Sequence, residues 1–255
     1  KEIKFKNDKL SSYSTGNEKI LNLNSLSYIF IRQDPPYNME YISSMHLLEQ
    51  LGPKTKLVNS PAGIRNAPEK ILMLKFKDII PPTLITRSRH EIGLFMSNHK
   101  KSVIKPLYGN GGQGIFLLDK QDKNYNQIIE KFIDEENTPF IIQKFLPEIK
   151  KGDKRIILIN GEPIAALKRI PKKNEFRSNI HVGGNTEAVR LSKNDRKICG
   201  IIKETLISEN LFFVGIDVIG DFLTEINVTS PTCIQEIKRH HKIDIAKIIF
   251  DKLDE

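Results

Sequence analysis

Acidic and amide side chains alternate with apolar ones near the C-terminal end of the chain. Residues 212–228 read FFVGIDVIGDFLTEINV, and this alternation is typical of two half-buried β-strands. Burial of one apolar set selects the register, because a slip of one residue would exchange the two faces. To keep both apolar sets on one face, the strands need an odd-numbered connection, which we place at residues 220–222. This register puts Asp217 directly opposite Glu225.

Asn227 joins Asp217 and Glu225 on the same face of this predicted hairpin, opposite Gly215. Cross-strand neighbours lie about 5 Å apart, so the two carboxylates would repel each other without a cation between them. Carboxylate and amide oxygens are ligands that Mg²⁺ takes in proteins, and Gly215 is expected to leave room for a ligand. The pattern therefore predicts a magnesium site. A solvated acidic surface is the alternative interpretation.

A glycine-rich stretch, KPLYGNGGQG at residues 105–114, lies between two predicted strands. Glycine allows the backbone to turn its N–H groups toward phosphate oxygens, although a flexible turn explains the glycines equally well. Lys105 favours phosphate, because a lysine in an otherwise apolar strand needs an anionic partner or a path to water. Lys70 is a second candidate phosphate ligand, at the start of a helix that we predict over residues 68–76.

Two further stretches could complete a nucleotide site. Residues 140–146 read FIIQKFL, an apolar strand whose backbone could border an adenine ring, although a core strand is equally consistent with the pattern. Residues 151–155 read KGDKR, a charged turn that leads into another strand. Within it, Arg155 could bind a phosphate or carboxylate through two parallel hydrogen bonds, while a surface turn explains the lysines.

The elements that come first in the chain predict a small α/β unit. Residues 28–31 form a predicted strand, Asn38 could cap the helix that follows, and residues 56–58 form a second strand. This order is typical of parallel strands with a helix between them. The predicted domain boundary is Pro81-Pro82 or the turn at residues 66–68.

Beyond this boundary the pattern is mainly β. Ser88 and Glu91 have the capping-box spacing that opens a helix, and Asn160-Gly161 is a strong signal for a tight hairpin turn. Residues 171–190 are predicted to form a long polar loop. The remaining predicted strands are 102–107, 115–119, 140–145, 155–159, 163–170 and the hairpin at 212–228, and the remaining predicted helices are 125–135, 192–210 and one at the C-terminal end.

Composition restricts the class of protein. Of the 255 residues, 39% are hydrophobic, so a sizeable core is expected. The formal net charge is +9, but the basic residues are dispersed, which favours a solvated surface with an anion site over a nucleic-acid-binding face. The two cysteines, Cys199 and Cys233, lack a disulfide spacing and indicate a reducing compartment. The sequence shows no signal peptide and no apolar run of about 20 residues, and from Lys1 we expect a chain that begins inside a longer protein.

Four motifs together resemble those of the prokaryotic glutathione synthetases, which belong to the ATP-grasp superfamily. They are RQDPPY at residues 32–37, KPL at 105–107, KGDKR at 151–155 and TEINVTSPT at 224–232. The resemblance extends from Ser25 to the C-terminus. It implies an α/β (α+β) ATP-grasp fold in which two α+β lobes sandwich ATP.

The resemblance also implies the domain organisation. Residues 1–67 would be the C-terminal part of an N-terminal α/β substrate domain, the pre-ATP-grasp domain, whose first strand and helix would precede this chain. Residues 68–255 would be the ATP-grasp domain, divided into an ATP-binding lobe at 68–145 and a metal and substrate lobe at 146–255.

The activity that the resemblance implies is the ATP- and Mg²⁺-dependent ligation of γ-glutamylcysteine to glycine through an acyl phosphate, which gives glutathione, ADP and phosphate. Mn²⁺ could replace Mg²⁺. The expected partners are these small molecules, and neither nucleic acid nor a membrane is expected. The expected assembly is a homo-oligomer, a tetramer as in relatives. The expected location is the cytoplasm. The alternative is another ATP-grasp carboxylate–amine ligase, of the D-alanine–D-alanine ligase or ribosomal-protein glutamate ligase type. A catalytically silent nucleic-acid-binding protein is a rival from a different class.

The resemblance assigns roles to individual residues. The catalytic residues, expected near the transferred phosphoryl group and the substrate, are Arg155, Arg177, Asn179, Gly183 and Gly184. The residues expected to bind ATP are Lys70, Lys105, Gly109, Gly111, Gly112, Gln113, Gln143, Lys144, Phe145, Leu146 and Asp153. The expected metal ligands are Asp217, Glu225 and Asn227, and the expected substrate residues are Arg32, Asp34 and Ser230. The sequence departs from the bacterial pattern at His181 and Asn185, where a small residue and an arginine are usual.

Overall fold

The computed structural model of the chain describes residues 1–5, 12–109, 112–135, 138–172 and 185–255. In chain order its strands are β1 (Ile3–Phe5), β2 (Tyr13–Thr15), β3 (Tyr28–Phe30), β4 (Lys56–Val58), β5 (Thr83–Thr86), β6 (Lys101–Pro106), β7 (Phe116–Asp119), β8 (Phe140–Lys144), β9 (Asp153–Ile159), β10 (Glu162–Ile170), β11 (Asn185–Val189), β12 (Phe213–Ile219) and β13 (Phe222–Asn227). Its α-helices are α1 (Met39–Leu48), α2 (Pro61–Asn66), α3 (Arg89–Asn98), α4 (Tyr125–Glu135), α5 (Lys193–Ser208), α6 (Ile234–His241) and α7 (Ile245–Leu253). None of the helices in these ranges is both long and apolar enough to cross a membrane.

A small pair of parallel strands forms the N-terminal α/β unit. β3 pairs in parallel with β4, and the connection contains α1, which begins where the Asn38 side chain accepts a hydrogen bond from the backbone N–H of Tyr41 (3.0 Å). The strand–helix–strand order predicted from the sequence is confirmed. Ahead of it, β1 and β2 form an antiparallel pair that the sequence analysis did not predict.

The helix predicted over residues 68–76 is wrong. The structure has α2 at Pro61–Asn66 instead, because a serine cap and a proline in the first turn start a helix further upstream. Two short 3₁₀ helices follow, at Leu72–Lys75 and Lys77–Ile79. The carbonyl oxygen of Glu69 accepts a hydrogen bond from the backbone of β13 (3.3 Å), which anchors this segment to a sheet in place of one regular helix.

An antiparallel four-stranded sheet follows, in the order β5-β8-β6-β7. One of its faces packs against α3 and α4. Ser88 caps α3 as predicted, and α4 has the predicted bounds. The core between this sheet and the two helices includes Ile92, Phe132, Phe140 and Ile142. Because side chains alternate along a strand, the opposite face of the sheet is available for other contacts.

The largest sheet has five antiparallel strands in the order β11-β10-β9-β12-β13. Its first face packs against α5 and the N-terminal unit, through residues that include Ile156, Val214 and Ile216. Its second face packs against α6 and α7, through residues that include Ile157 and Phe213. Toward one end of the second face, charged side chains replace the apolar ones.

β11 corrects the prediction of an uninterrupted loop over residues 171–190. Its residues, Asn185–Val189, pair with β10 at the edge of the sheet. The segment reads NTEAV and is mostly exposed, so it lacks the apolar alternation by which a strand is recognised in a sequence. Backbone hydrogen bonds to β10 define it instead. Residues 173–184 lie outside the described part of the chain.

Two hairpins of this sheet contain β-bulges. The β9–β10 turn has Asn160 and Gly161 at positive φ (50° and 75°), which confirms the tight turn predicted there. After this turn, Ile164 is the extra residue of a bulge. The β12–β13 turn has two residues, 220–221, and not three as predicted, because a bulge at Thr224 supplies the extra residue.

The second bulge changes which side chains share a face. Leu223 lies opposite Val218, and both are fully buried in the core. Uninterrupted alternation with the predicted three-residue turn would put Leu223 on the polar face and Thr224 on the apolar face, and both placements are wrong. Beyond the bulge, the predicted pairing of Asp217 with Glu225 is confirmed.

Asn59 joins the N-terminal unit to the largest sheet. Its side-chain nitrogen donates to the carbonyl oxygens of Phe213 and Val228 (both 2.8 Å), and its side-chain oxygen accepts from the N–H of Phe213 (2.6 Å). The side chain is buried, so these bonds replace those that water would make. This contact fixes the α/β unit against β12 and the end of β13.

The single terminal helix predicted from the sequence is two helices, α6 and α7. Lys242 ends α6 in the left-handed region (φ 60°). The side chain of Asp244 then caps α7 by accepting a hydrogen bond from the N–H of Lys247 (3.1 Å). The cap and the left-handed residue together explain the break.

Candidate active site

A row of charged residues crosses three strands of the five-stranded sheet. Arg155 of β9 is the cross-strand neighbour of Asp217 on β12, and Asp217 is the neighbour of Glu225 on β13. Asn227 lies two residues along β13, opposite Gly215. By the alternation of side chains, these residues share the charged end of the second face.

Asp217 lies at the centre of a buried ion-pair network. Arg155 donates from Nε to Oδ1 (2.5 Å) and from Nη2 to Oδ2 (2.9 Å), and Nη2 of Arg169 lies 2.9 Å from Oδ2. Burial opposes ionisation of the carboxyl group, but the two guanidinium groups outweigh burial and hold the pKa of Asp217 well below its usual value. Asp217 is therefore ionised at physiological pH.

Arg169 connects Asp217 to Asp153. It donates from Nε to Oδ1 of Asp153 (2.9 Å) and pairs through Nη2 with Oδ2. Burial raises the pKa of Asp153 despite this partner. Burial alone would lower the pKa of Arg169, but the carboxylates of Asp217 and Asp153 raise it well above its usual value. Together with Arg155, these residues form one buried chain of alternating charges.

Two lysines reach the same region from outside this sheet. Lys105 of β6 is buried, and its Nζ lies 3.7 Å from Oε1 of Glu225. Burial lowers the pKa of Lys105, and the Glu225 carboxylate partly offsets this effect. Lys70 is also buried, and its Nζ donates to the carbonyl oxygen of Gly109 (2.5 Å). Both ammonium groups can therefore serve an anionic ligand at this position.

A cavity of about 440 Å³ is lined by residues of both larger sheets. The predicted ATP residues on its wall are Lys70, Lys105, Gly109, Gly112, Gln113, Gln143, Lys144, Phe145, Leu146 and Asp153. The predicted metal, catalytic and substrate residues on its wall are Asp217, Glu225, Asn227, Arg155, Asp34 and Ser230. Gln143 is fixed by the hydrogen bond that its Nε2 donates to Oγ1 of Thr83 (3.0 Å). The structure thus brings most of the predicted site residues to one cavity.

The predicted substrate residues divide into two groups. Ser230 donates from Oγ to Oδ1 of Asp34 (2.5 Å), and both residues line the cavity. Arg32 is not among the residues that line it. Its Nη1 donates to the carbonyl oxygen of Pro231 (2.9 Å), and its guanidinium carbon lies 5.5 Å from the centre of the Phe213 ring. In the structure, Arg32 therefore holds the segment that follows β13.

Some predicted site residues lie outside the described part of the chain, namely Gly111, Arg177, Asn179, Gly183 and Gly184. The expectation that Gly215 leaves room for a ligand is wrong. A Cβ at this position would lie 3.0 Å from Pro231 and 3.2 Å from Arg155. The missing side chain therefore makes room for the Arg155 side chain.

Five polar residues of the cavity wall were not predicted as site residues, namely Glu69, Arg169, Thr224, Thr229 and Thr232. Arg169 carries the same signal as Lys105, a cation within an apolar strand, and could have been found by it. Thr224 was missed because a bulge turns its side chain to the other face. Glu69 and Thr229 carry no signal of their own beyond adjacency to predicted site residues.

The oxygen atoms of Asp217, Glu225 and Asn227 fit a divalent cation. Within the residues that the structure describes, no group of three or more His, Cys, Asp or Glu side chains could hold a metal ion. The protein therefore offers two carboxylates and one amide, and a bound phosphate would have to supply further oxygens, which is how Mg²⁺ commonly binds. Oδ1 of Asp217 accepts one guanidinium bond and keeps a second lone pair for a metal ion, whereas Oδ2 lies 2.9 Å from a guanidinium nitrogen of both Arg155 and Arg169.

Comparison with known families decides between the ligases of this type. The family model described as "Prokaryotic glutathione synthetase, ATP-grasp domain" matches residues 69–242, and the one described as "Prokaryotic glutathione synthetase, N-terminal domain" matches residues 1–65. The chain belongs to the prokaryotic glutathione synthetase family. The charged row, Lys70 and Lys105 all fall within the first match.

Individual relatives and solved structures agree with this family. The glutathione synthetase of Mesorhizobium japonicum is 44% identical over 253 residues, which are 99% of this chain and 81% of that protein. The glutathione synthetase of Brucella melitensis is 46% identical over 242 residues, which are 95% of this chain and 78% of that protein. The structure of a D-alanine–D-alanine ligase from Bacillus anthracis complexed with ATP has a TM-score of 0.61 at 11% identity, over 89% of this chain and 79% of that chain. The last likeness concerns the fold, and the fold is ATP-grasp, as the sequence predicted.

Proposed function

We propose that the chain catalyses the ATP- and Mg²⁺-dependent joining of γ-glutamylcysteine to glycine, which gives glutathione, ADP and phosphate. The chain is an ATP-dependent carboxylate–amine ligase, as its family is. The observation that carries the proposal is the position of Arg155, Asp217 and Glu225 on the wall of one cavity together with Lys70 and Lys105. This set combines cations for phosphate oxygens with oxygen ligands for a metal.

The first step joins the carboxylate of the cysteine residue of γ-glutamylcysteine, the group to which glycine is later added, to the γ-phosphorus of ATP. A carboxylate oxygen bonds to phosphorus, the bond to the bridging oxygen breaks, and ADP leaves. Phosphoryl transfer requires positioning and charge neutralisation more than a protein nucleophile. Lys70 and Lys105 supply positive charge to the phosphates, and Arg155 is held at the wall by its two bonds to Asp217.

The second step forms the amide. The glycine ammonium group first loses a proton to solvent, and its nitrogen then attacks the carbonyl carbon of the acyl phosphate. Phosphate leaves with the electrons of the broken carbon–oxygen bond, and the nitrogen loses a second proton to solvent to give the amide. Mg²⁺, held by Asp217, Glu225 and Asn227, supplies charge neutralisation at the phosphate oxygens when it is bound. Asp34 and Ser230, at the other side of the wall, are the proposed contacts for the peptide substrate.

Several finer assignments belong to the same proposal. Residues 1–67 form the C-terminal part of the substrate domain, 68–145 the ATP-binding lobe, and 146–255 the metal and substrate lobe, a division supported by the separate four-stranded and five-stranded sheets. Mn²⁺ can replace Mg²⁺, because it takes the same oxygen ligands. The chain assembles as a homo-oligomer, a tetramer by family resemblance. It works in the cytoplasm, which suits its two free, buried cysteines.

The test is a reaction of the purified protein with ATP, MgCl₂, γ-glutamylcysteine and glycine. Released phosphate and ADP are quantified, and glutathione is identified by mass spectrometry. We expect equimolar glutathione and ADP, and loss of both when either amino-acid substrate is omitted or the metal is chelated. A parallel reaction with D-alanine as the only amino acid is the control. Formation of D-alanyl-D-alanine, or ATP turnover without glutathione, would contradict the proposal.

A further inference from the structure

Glu69 lies on the cavity wall next to the proposed substrate region. It directly precedes Lys70, and its Oε1 accepts a hydrogen bond from Oγ1 of Thr229 (2.9 Å). Its backbone carbonyl accepts the N–H of Ile226 (3.3 Å). The residue lines the main cavity and also a smaller adjoining cavity of about 20 Å³. Glu69 is thus hydrogen-bonded to the segment that joins Glu225 and Asn227 to Ser230.

Glu69 differs from the other carboxylates on this wall in its partners. Asp153 and Asp217 are paired with guanidinium groups, and Glu225 has an ammonium nitrogen at 3.7 Å. Asp34 is exposed, so water solvates it. Glu69 is partly buried, and its side chain makes no salt bridge within the described residues. Its carboxylate accepts a hydrogen bond from the neutral hydroxyl of Thr229.

A carboxylate that is shielded from water and has no direct ion pair is costly. Burial, and then the charge of Glu225, raise the pKa of Glu69 to about 7, while Lys70 and the bond from Thr229 act in the opposite direction. A cationic group of a ligand that entered the cavity would compensate the carboxylate. The substrates of the proposed reaction include one whose reacting group is such a cation, because the amine of a free amino acid is an ammonium group at neutral pH.

We propose that Glu69 binds the ammonium group of the amine substrate and so places its nitrogen, which attacks the acyl phosphate once it has released a proton to solvent. The ligand class is a small α-amino acid, which is glycine in the proposed reaction, and the inference rests on that reaction. Glu69 contacts Ile226 and Thr229, which are neighbours in sequence of the proposed metal ligands and of Ser230, and it lines the same cavity as both groups. A structural role, in which Glu69 only anchors the segment after β13 through Thr229, is the competing explanation.

The experiment compares three variants of the full chain by steady-state kinetics, with KM measured separately for ATP, γ-glutamylcysteine and glycine. Glu69→Gln keeps the size and the acceptor for Thr229 but removes the charge. Glu69→Asp keeps the charge and withdraws it by one methylene. Thr229→Val removes the hydroxyl bond and keeps the carboxylate. Thermal unfolding of each variant checks that it is folded.

We expect Glu69→Gln to raise the KM for glycine about ten- to a hundredfold, the range for a lost hydrogen bond to a charged group, with little change in the KM for ATP. Glu69→Asp should lie between Glu69→Gln and the wild type. Thr229→Val should show no selective effect on glycine. An unchanged glycine KM in Glu69→Gln, or equal increases for all three substrates in Glu69→Gln and Thr229→Val, would overturn the proposal in favour of anchoring.

A neutral nucleophile provides a second measurement. Hydroxylamine is largely uncharged at neutral pH and converts an acyl phosphate to a hydroxamate. Glu69→Gln should therefore form hydroxamate from γ-glutamylcysteine and ATP at close to the wild-type rate, while glutathione formation at low glycine falls. Equal losses in both reactions would contradict ammonium binding. If the wild type makes no glutathione, the proposed function itself fails, whereas a glycine KM that ignores Glu69 in an active enzyme removes this inference alone.

Discussion

Arg155 and Asp217 form a bidentate ion pair across two neighbouring strands, from Nε to Oδ1 at 2.5 Å and from Nη2 to Oδ2 at 2.9 Å. Both side chains are buried, and Arg169 contacts the same carboxylate. Asp217 is also a proposed metal ligand. Folding and metal binding therefore depend on one side chain, and Glu225 on the next strand offers a way to separate the two roles.

Asp217→Asn should destabilise the fold. The substitution leaves two buried guanidinium groups without their shared carboxylate, and breaking a buried pair in this way costs about 3–5 kcal/mol. Glu225→Gln is the matched control, because Glu225 is 24% exposed and its nearest cation is 3.7 Å away. It should cost less than about 1 kcal/mol and still abolish Mg²⁺-dependent ATP turnover. Urea unfolding and phosphate release measure the two effects, and equal destabilisation by both variants would contradict this account.

Lys105→Met should weaken ATP binding by about tenfold or more, the range for a lost bond to a charged group. Lys105 is buried at the cavity wall, so its ammonium group has no replacement from solvent. Lys101→Met on the same strand is the control, since Lys101 is 56% exposed and pairs with Asp119 at the surface. Calorimetric titration with a non-hydrolysable ATP analogue measures both. Similar affinities for the two variants would show that Lys105 does not contact the phosphates.

The pairing of Asp217 with Glu225 could be predicted from alternation, but two bulges limited the prediction of the other pairings. The pairing of Asp217 with Glu225 was derived from an odd-numbered turn, and it is correct because the bulge at Thr224 supplies the same extra residue as that turn would. A bulge is a local backbone feature that apolar alternation does not encode. For this reason Leu223 and Thr224 were assigned to the wrong faces.

The bulge at Ile164 explains why the partner of Arg169 could not be predicted. Counting from the tight turn at residues 160–161 without a bulge places Arg169 opposite Gly152, whereas the extra residue Ile164 places it opposite Asp153. The edge strand β11 escaped prediction for a related reason, since its side chains bury little surface. Apolar sequence patterns indicate which side chains are buried. They therefore predict poorly the strands and registers that depend on backbone pairing alone.

The stability of the wild type relative to Glu69→Gln should fall as pH rises, in the absence of metal. The pKa of Glu69 is raised from 4.5 to about 7 by burial and by the charge of Glu225. A carboxyl group whose pKa is higher in the folded than in the unfolded state stabilises the fold, and this stabilisation is fully present at pH values below the unfolded-state pKa. It is lost as the pH rises through the folded-state pKa. The decline should therefore occur between about pH 4.5 and 7. Urea unfolding of both proteins in EDTA at several pH values measures it, and a difference that grows with pH would have the wrong sign.

Gly152→Ala should destabilise the protein and weaken the ATP site together. Gly152 has a φ of 100°, and a Cβ there would lie 2.5 Å from the carbonyl oxygen of Arg169, so the strain should cost at least about 1–3 kcal/mol. The displaced backbone carries Asp153 and its partner Arg169, and the affinity for the ATP analogue should fall as well.

Gly200→Ala is the matched control, because Gly200 is exposed on α5 with open space around the position of its Cβ. There, alanine should stabilise the helix by about 1 kcal/mol and leave ATP affinity unchanged. Urea unfolding and calorimetric titration of both variants decide the matter, and a Gly152→Ala protein as stable as the wild type would show that β9 and β10 can separate locally without loss of the buried charge network.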